Sequence, residues 1–220
     1  SRVSPSTQNQ AFSALMFLYR EVLGRRVQGL DRVPRAKRTL RVPLVLSREE
    51  IDAILRQLHG VPRLMVSLMY GSGLRLHECC RLRIRDVDLF GPGLTVRGGK
   101  GGKDRLTLLP RRLVAPLRAH LDCVSVQHSS DLAAGVAGTP PTLDPRVRPT
   151  SMPSDRGWQW LFPADRLGVD RQTGNLRRPP IQETVVRREF AIAVRAAAIR
   201  KAATCHTLRH SFATHLMEAG

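Results

Sequence analysis

The chain has 220 residues, 42% of them hydrophobic, and 36 Lys+Arg against 18 Asp+Glu, so a globular apolar content carries a formal charge of +18. No apolar run approaches the roughly 20 residues of a membrane span, no secretory leader is visible, and no basic amphipathic helix argues for a membrane surface. Lysine stands only at 37, 100, 103 and 201; arginine supplies the rest, and its fork suits phosphate, which makes nucleic acid the leading partner.

Ser4-Pro5-Ser6 supplies an N-cap, and Ala11, Phe12, Leu15, Met16, Leu18, Tyr19 and Val22 predict an apolar helix ending at Gly24. One helix cannot bury a core alone, so residues 1–24 are expected to be the C-terminal remnant of a helical domain. Residues 25–46 read as a basic linker in which Asp31 is the only acid and Pro34 and Pro43 oppose helix. Such a connector either follows a DNA backbone or is merely solvated; the overall charge favours the first, with Arg35, Lys37 and Arg38 as candidate phosphate contacts.

From residue 47 a second domain is expected. Ser47-Arg48-Glu49-Glu50 is a capping box, followed by Ile51, Ile54, Leu55 and Leu58 at helical spacing. Pro62 opens a second helix, which Gly71-Ser72-Gly73 breaks, and a third begins near Leu74 and runs through Leu82. Leu94–Arg97 and Arg105–Leu109 alternate as strands around the glycine-rich tip 98–104, and a helix follows over roughly 111–126. Residues 129–180, with both tryptophans and many prolines, read as a long loop-like insertion before helix returns over 181–198. The four cysteines, Cys79, Cys80, Cys123 and Cys205, form no CxxC pair, and reduced thiols of a cytosolic protein are expected.

Three constellations carry chemistry. Arg75 follows a Gly-Ser-Gly break at a helix start, a position that offers a guanidinium and backbone N–H groups to an anion, and Glu78 at i+3 could orient it; a surface ion pair is the plainer alternative. Lys100 has two glycines on each side, the setting of a mobile general acid or of a solvated hairpin lysine, and Lys103 competes with it. His206, Arg209 and His210 share one helical face, which fits an anion better than a metal because Arg209 would repel a cation.

Taken in order, the stretches Gly71–Glu78, Gly98–Arg105 and His206–Thr214 strongly resemble the tyrosine recombinases of the phage integrase family. The resemblance implies a mainly α fold with a small antiparallel β-hairpin (α+β), a catalytic domain over 47–220 that lacks its C-terminal end, and a remnant of the helical core-binding domain over 1–24. It implies DNA transesterification through a 3′-phosphotyrosyl link, with no metal or cofactor. Arg75 and Arg209 would clamp the phosphate, Lys100 would protonate the leaving 5′-oxygen, and His206 would bind the phosphate or help deprotonate the nucleophile. Glu78 and His210 would support them, and Lys103 and Arg105 would contact DNA.

Gly157–Pro163 and Asp170–Arg178 further resemble the extra segment of integron integrases, although Pro179 and Pro180 stand where that subfamily has two histidines. There Trp158, Trp160, Arg177 and Arg178 would grip bases flipped from folded single-stranded cassette sites; the alternative is that both tryptophans are core anchors. Full-length members act as tetramers on DNA in the bacterial cytoplasm. The first residue is not Met, and Gly220 directly follows a helical pattern, so the chain is expected to be a piece of a longer one. Its only tyrosines, Tyr19 and Tyr70, miss the motif position, so residues 1–220 are expected to bind DNA without cleaving it. The rival expectation is a non-catalytic DNA-binding product of a truncated recombinase gene.

Overall fold

A serine side chain starts each of the first two helices. In the computed structural model, which describes residues 3–25, 29, 33–37, 43–91, 93–98, 103–139, 155–171 and 173–219, the chain divides between Val42 and Pro43 into two units. In the first unit Ser4 Oγ accepts the Thr7 N–H at 3.2 Å and opens helix α1 (Pro5–Phe17). A π-helical turn (Leu18–Val22) follows, and Gly24 ends it with a left-handed φ of +59°. Asn9 exchanges two hydrogen bonds with the Ala36 backbone, at 2.9 and 3.0 Å. None of this unit's described residues is buried, because one amphipathic helix has nothing to pack its apolar side chains against.

In the second unit Ser47 caps α2 (Arg48–Gln57), and Glu50 returns to the Ser47 N–H at 2.7 Å, completing the expected capping box. Ile51, Ile54 and Leu55 then face inward. Helix α3 (Gly60–Ser72) buries Met65, Val66, Leu68 and Met69. It stops at Gly73, which takes the left-handed conformation of a C-terminal cap with φ +61°. The next helix, α4 (Leu76–Cys80), is shorter than the sequence suggests: Arg75 is its N-cap and Leu82 lies beyond its end.

The strands β1 (Val87–Asp88), β2 (Gly93–Val96) and β3 (Arg105–Leu108) form an antiparallel sheet in that order, with Val96 opposite Arg105 and Gly93 opposite Leu108. Helix α5 (Val114–Ala133) runs past the predicted end near 126. A ribbon of β4 (Gly168–Val169) and β5 (Leu176–Arg177) precedes α6 (Glu183–Ala196) and α7 (Cys205–Glu218). The fold is mostly helical with small antiparallel sheets, as expected. No helix among the described residues is long and apolar enough to cross a membrane.

The described parts of the insertion, residues 129–139, 155–171 and 173–180, are more than loop. Trp160, Leu161 and Phe162 are buried, Leu161 N–H donates to Leu82 O at 2.8 Å, and Ile181 N–H donates to Phe162 O at 2.9 Å. The first bond ties the segment to the chain that leaves α4 and the second to the chain that enters α6, with Phe162 buried in the core. Alternation is too short here to announce a strand, which is why prolines dominated the sequence reading. Helix α7 is held from behind: Ser211 Oγ accepts the Leu46 N–H and donates to Thr207 O, both at 2.9 Å, in a fully buried position.

Candidate active site

Gly73 brings the elements of the site together. A Cβ at this position would lie 2.5 Å from Phe212 Cδ1, so only glycine lets α7 close onto the α3–α4 turn. Its carbonyl also receives a hydrogen bond from Arg209 Nη1. Two residues on, the Arg75 N–H donates to Glu78 Oε2 and its Nη1 to Glu78 Oε1, both at 2.8 Å. The Arg75 N–H, one of the backbone groups expected to face an anion, is therefore taken by Glu78, and Arg75 has its guanidinium to offer. From the sheet, Arg105 grips the same carboxylate with both ends of its fork, at 2.8 and 2.7 Å. Arg209 Nη1 stands 4.0 Å from Glu78 Oε2.

Three guanidinium groups thus surround one nearly buried carboxylate, leaving two uncompensated positive charges. Burial pushes the Glu78 carboxyl up, but hydrogen bonds from Arg105 and Arg75 outweigh it and hold the group at about 2. Burial, and then the charges of Arg75 and Arg105, lower Arg209, while the Glu78 hydrogen bond raises Arg105. All three arginines remain about one-third exposed at the side chain. Like charges held together at a partly open surface favour an arriving anion, and planar forks suit a phosphate.

His206 opens α7 and lines a cavity of about 440 Å³ together with Arg75, His77, Glu183 and Arg187. Burial, followed by the charges of His210, Arg209 and Arg75, lowers its pKa. Its ring meets the edge of His210 at a centroid distance of 5.0 Å. A depressed imidazole contributes stability in its neutral form, present above the ordinary value near 6.5 and lost as pH falls through the folded value. We therefore expect wild type to lose melting temperature on acidification across roughly pH 7 to 5 more steeply than His206→Asn, and added phosphate to reduce the difference. Equal slopes in thermal melts would contradict this.

Tyr70 lies elsewhere. Its hydroxyl is hydrogen-bonded to His215 Nδ1 at 2.8 Å, in a cavity shared with Arg48, Asp52, Arg112 and Phe212. Burial raises its pKa, the wrong direction for an activated nucleophile.

The other predicted residues divide. Lys100 and Arg38 lie outside the described residues. Lys103, Arg35 and Lys37 are exposed, the last two in the first unit. Trp160 is buried beneath Arg83, whose guanidinium sits 4.0 Å from the ring centroid, which makes it a core anchor. Trp158 is half-buried, with Arg85 4.0 Å over its ring. Arg178 pairs with both oxygens of Asp131 and donates to the carbonyls of Ala164 and Asp165. Arg177 reaches Asp170 at 3.3 Å and the Gly138 carbonyl. These two arginines hold the insertion together from inside.

Arg105, expected among the DNA contacts, is brought by the structure to Glu78. Strand alternation carries the missed signal: Arg105 and Thr107 share a face, and Thr107 Oγ1 donates to Ser72 O at 2.9 Å, so that face looks at the α3–α4 turn.

The profile described as "Phage integrase family" matches residues 45–220. The chain belongs to that family. Curated relatives include an integrase/recombinase of Escherichia coli and one of Pseudomonas aeruginosa, each 38% identical over 221 residues, covering 100% of this chain and 65% of the relative. The tyrosine recombinase XerA of Thermococcus kodakarensis is 32% identical over 205 residues, 89% of this chain and 57% of that protein. This phage integrase family chain therefore spans less than two-thirds of the length of these relatives. Among solved structures, XerA recombinase superposes with a TM-score of 0.54 at 26% identity, over 100% of this chain and 64% of that one. XerH recombinase bound to its difH substrate has a TM-score of 0.60 at 19% identity, over 99% and 56%, which is a likeness of fold.

Proposed function

We propose that this chain is the phosphate-clamping part of a site-specific tyrosine recombinase that cuts and rejoins DNA through a 3′-phosphotyrosyl intermediate. The observation that carries the reading is the convergence of Arg75, Arg105 and Arg209 on Glu78 beside His206. In a phosphoryl transfer, charge builds on the non-bridging oxygens, and Arg75 and Arg209 neutralise it. A tyrosine oxygen attacks phosphorus, the bond to the 5′-oxygen breaks, and Lys100 gives the leaving oxygen its proton. His206, its pKa lowered first by burial and then by its neighbours His210, Arg209 and Arg75, accepts the tyrosine proton or a phosphate contact. Attack by the freed 5′-hydroxyl of a partner strand reverses the step. Full-length assembly is a tetramer on two duplexes in a bacterial cytoplasm.

The attacking hydroxyl is neither of this chain's two tyrosines: Tyr70 is committed to His215 and Tyr19 lies in the first unit's π-helical turn. Residues 1–220 by themselves bind DNA without cleaving it. We assign the recombinase to the integron type, acting on gene cassettes through duplex and folded single-stranded sites. The tryptophan segment of the insertion supports this, and base stacking falls to Trp158 because Trp160 is buried. Residues 1–24 are the end of a helical core-binding domain, and 25–46 are a basic linker along the duplex.

Gel retardation tests the reading. The 220-residue chain should retard duplex DNA with an affinity that falls steeply with salt, and it should leave no denaturant-resistant protein–DNA adduct on a nicked duplex. A covalent adduct mapped to Tyr70 or Tyr19, or failure to bind duplex at low salt, would sink it.

A further inference from the structure

Glu78 accepts four hydrogen bonds, two from Arg75 and two from Arg105. A carboxylate offers about four lone-pair positions, so this one is filled. Arg209, 4.0 Å away, is left out of that set and donates to the Gly73 carbonyl instead. The clamp needs this outcome, because an arginine captured by a carboxylate has fewer donors for a phosphate. We infer that Arg105 is a positioning residue: by occupying both oxygens of Glu78 it lets that carboxylate orient Arg75 without drawing in Arg209. The inference rests on the clamp proposed above and deepens it.

The strand holds Arg105 in place for this task. It pairs with Val96 across the sheet, and Thr107 on the same face is tied to the Ser72 carbonyl at 2.9 Å. At the other side of Arg105, Asp104 Oδ1 accepts the Gly98 N–H at 2.9 Å and ties the residues next to the ends of β2 and β3 together. The guanidinium therefore approaches Glu78 from a fixed direction. Among the described residues, the charged groups that face Glu78 are Arg75 at the start of its own helix, Arg105 on β3 and Arg209 on α7; the adjoining Cys79 thiol is buried, which raises its pKa.

Removing Arg105 opens two acceptor positions on a partly buried carboxylate. Arg209 is the nearest guanidinium outside the set. Its turn toward Glu78 would satisfy the carboxylate at the expense of the anion site, whose net charge would fall from +2 to +1. Lysine is a partial substitute, since a single ammonium cannot hold both oxygens in one plane.

The test uses the 220-residue chain with inorganic phosphate as probe, followed by calorimetry, and carboxyl-carbon NMR of Glu78 as an independent readout. Arg105→Gln should weaken phosphate binding by about tenfold, and Arg105→Lys by less. In a Glu78→Gln background, where no carboxylate can capture Arg209, Arg105→Gln should cost much less than it does alone. Glu78 should stay ionised at a pH of about 4 in wild type and in Arg105→Gln, where Arg209 takes up the vacated oxygens, and be substantially protonated there only when Arg105→Gln is combined with Arg209→Ala. Phosphate binding that is lost in Arg75→Ala and Arg209→Ala but unchanged in Arg105→Gln would overturn this inference and leave the clamp standing. Binding indifferent to Arg75→Ala and Arg209→Ala would overturn both. Substantial protonation of Glu78 at that pH in a folded Arg105→Gln protein that still has Arg209 would show that Arg209 does not take the vacated oxygens, and would overturn the inference whatever the phosphate result.

Discussion

Replacing Arg209 by alanine is expected to slow strand cleavage by the proposed full-length recombinase about 10²–10³-fold, the cost of removing one preorganised donor from a site of developing negative charge. The geometry sets the direction. Arg209 keeps one Nη bond to the Gly73 carbonyl, which aims the side chain, and faces Glu78 at 4.0 Å without hydrogen-bonding it, which leaves its other donors for a phosphate. Removing it lowers the charge available to a pentacoordinate phosphorus and leaves Arg75 as the remaining clamp arginine. Arg209→Lys should recover little, because an ammonium cannot bond Gly73 and a phosphate oxygen in one plane. Single-turnover cleavage of a labelled duplex under saturating enzyme gives the rate, and a thermal melt checks the fold. A loss smaller than tenfold, with the variant folded, would remove Arg209 from the chemistry.

Gly73→Ala should destabilise the second unit by about 2–4 kcal/mol, roughly 10 °C in melting temperature. Two costs add. The left-handed φ of +61° disfavours any side chain, and the new Cβ would lie 2.5 Å from Cδ1 and 2.7 Å from Cε1 of Phe212, a ring that cannot bend aside. Gly174→Ala is the control: its φ is +71° but nothing lies within 4 Å, so it should pay the conformational cost alone, about 1 kcal/mol. Phe212→Leu combined with Gly73→Ala should recover part of the overlap cost. Denaturant titrations of the four proteins read all of this. Equal losses in Gly73→Ala and Gly174→Ala would mean that the approach of α7 to the turn is not tight.

Part of the clamp is legible in one dimension because its geometry is local. Arg75 and Glu78 are three residues apart, and a short helix suffices to make them meet. The Ser47–Glu50 box is legible for the same reason. Arg105 is not, since its bond to Glu78 spans 27 residues and depends on which face of β3 looks at the α3–α4 turn. Charge alone could only place it among the basic residues that reach DNA. The tryptophans show the same boundary. Both are aromatic residues in a proline-rich stretch, yet Trp160 is buried under Arg83 while Trp158 stays half-exposed, and sequence offers no way to rank them. Arg178 is a further case: its partner Asp131 is 47 residues away on α5.

By itself, then, the sequence determined the helical periodicities, the capped helix starts, the glycine break before Arg75 and the basic balance that points to a polyanion, because each is a property of neighbours along the chain. Only the tertiary structure decided which cations share a carboxylate. Helix α7 had to close on Gly73, and β3 had to turn its Arg105 face inward, before three arginines could converge on Glu78 and leave two positive charges over. That decision is electrostatic and works over a few ångströms, whereas the residues that make it lie as far apart in the chain as Arg75 and Arg209.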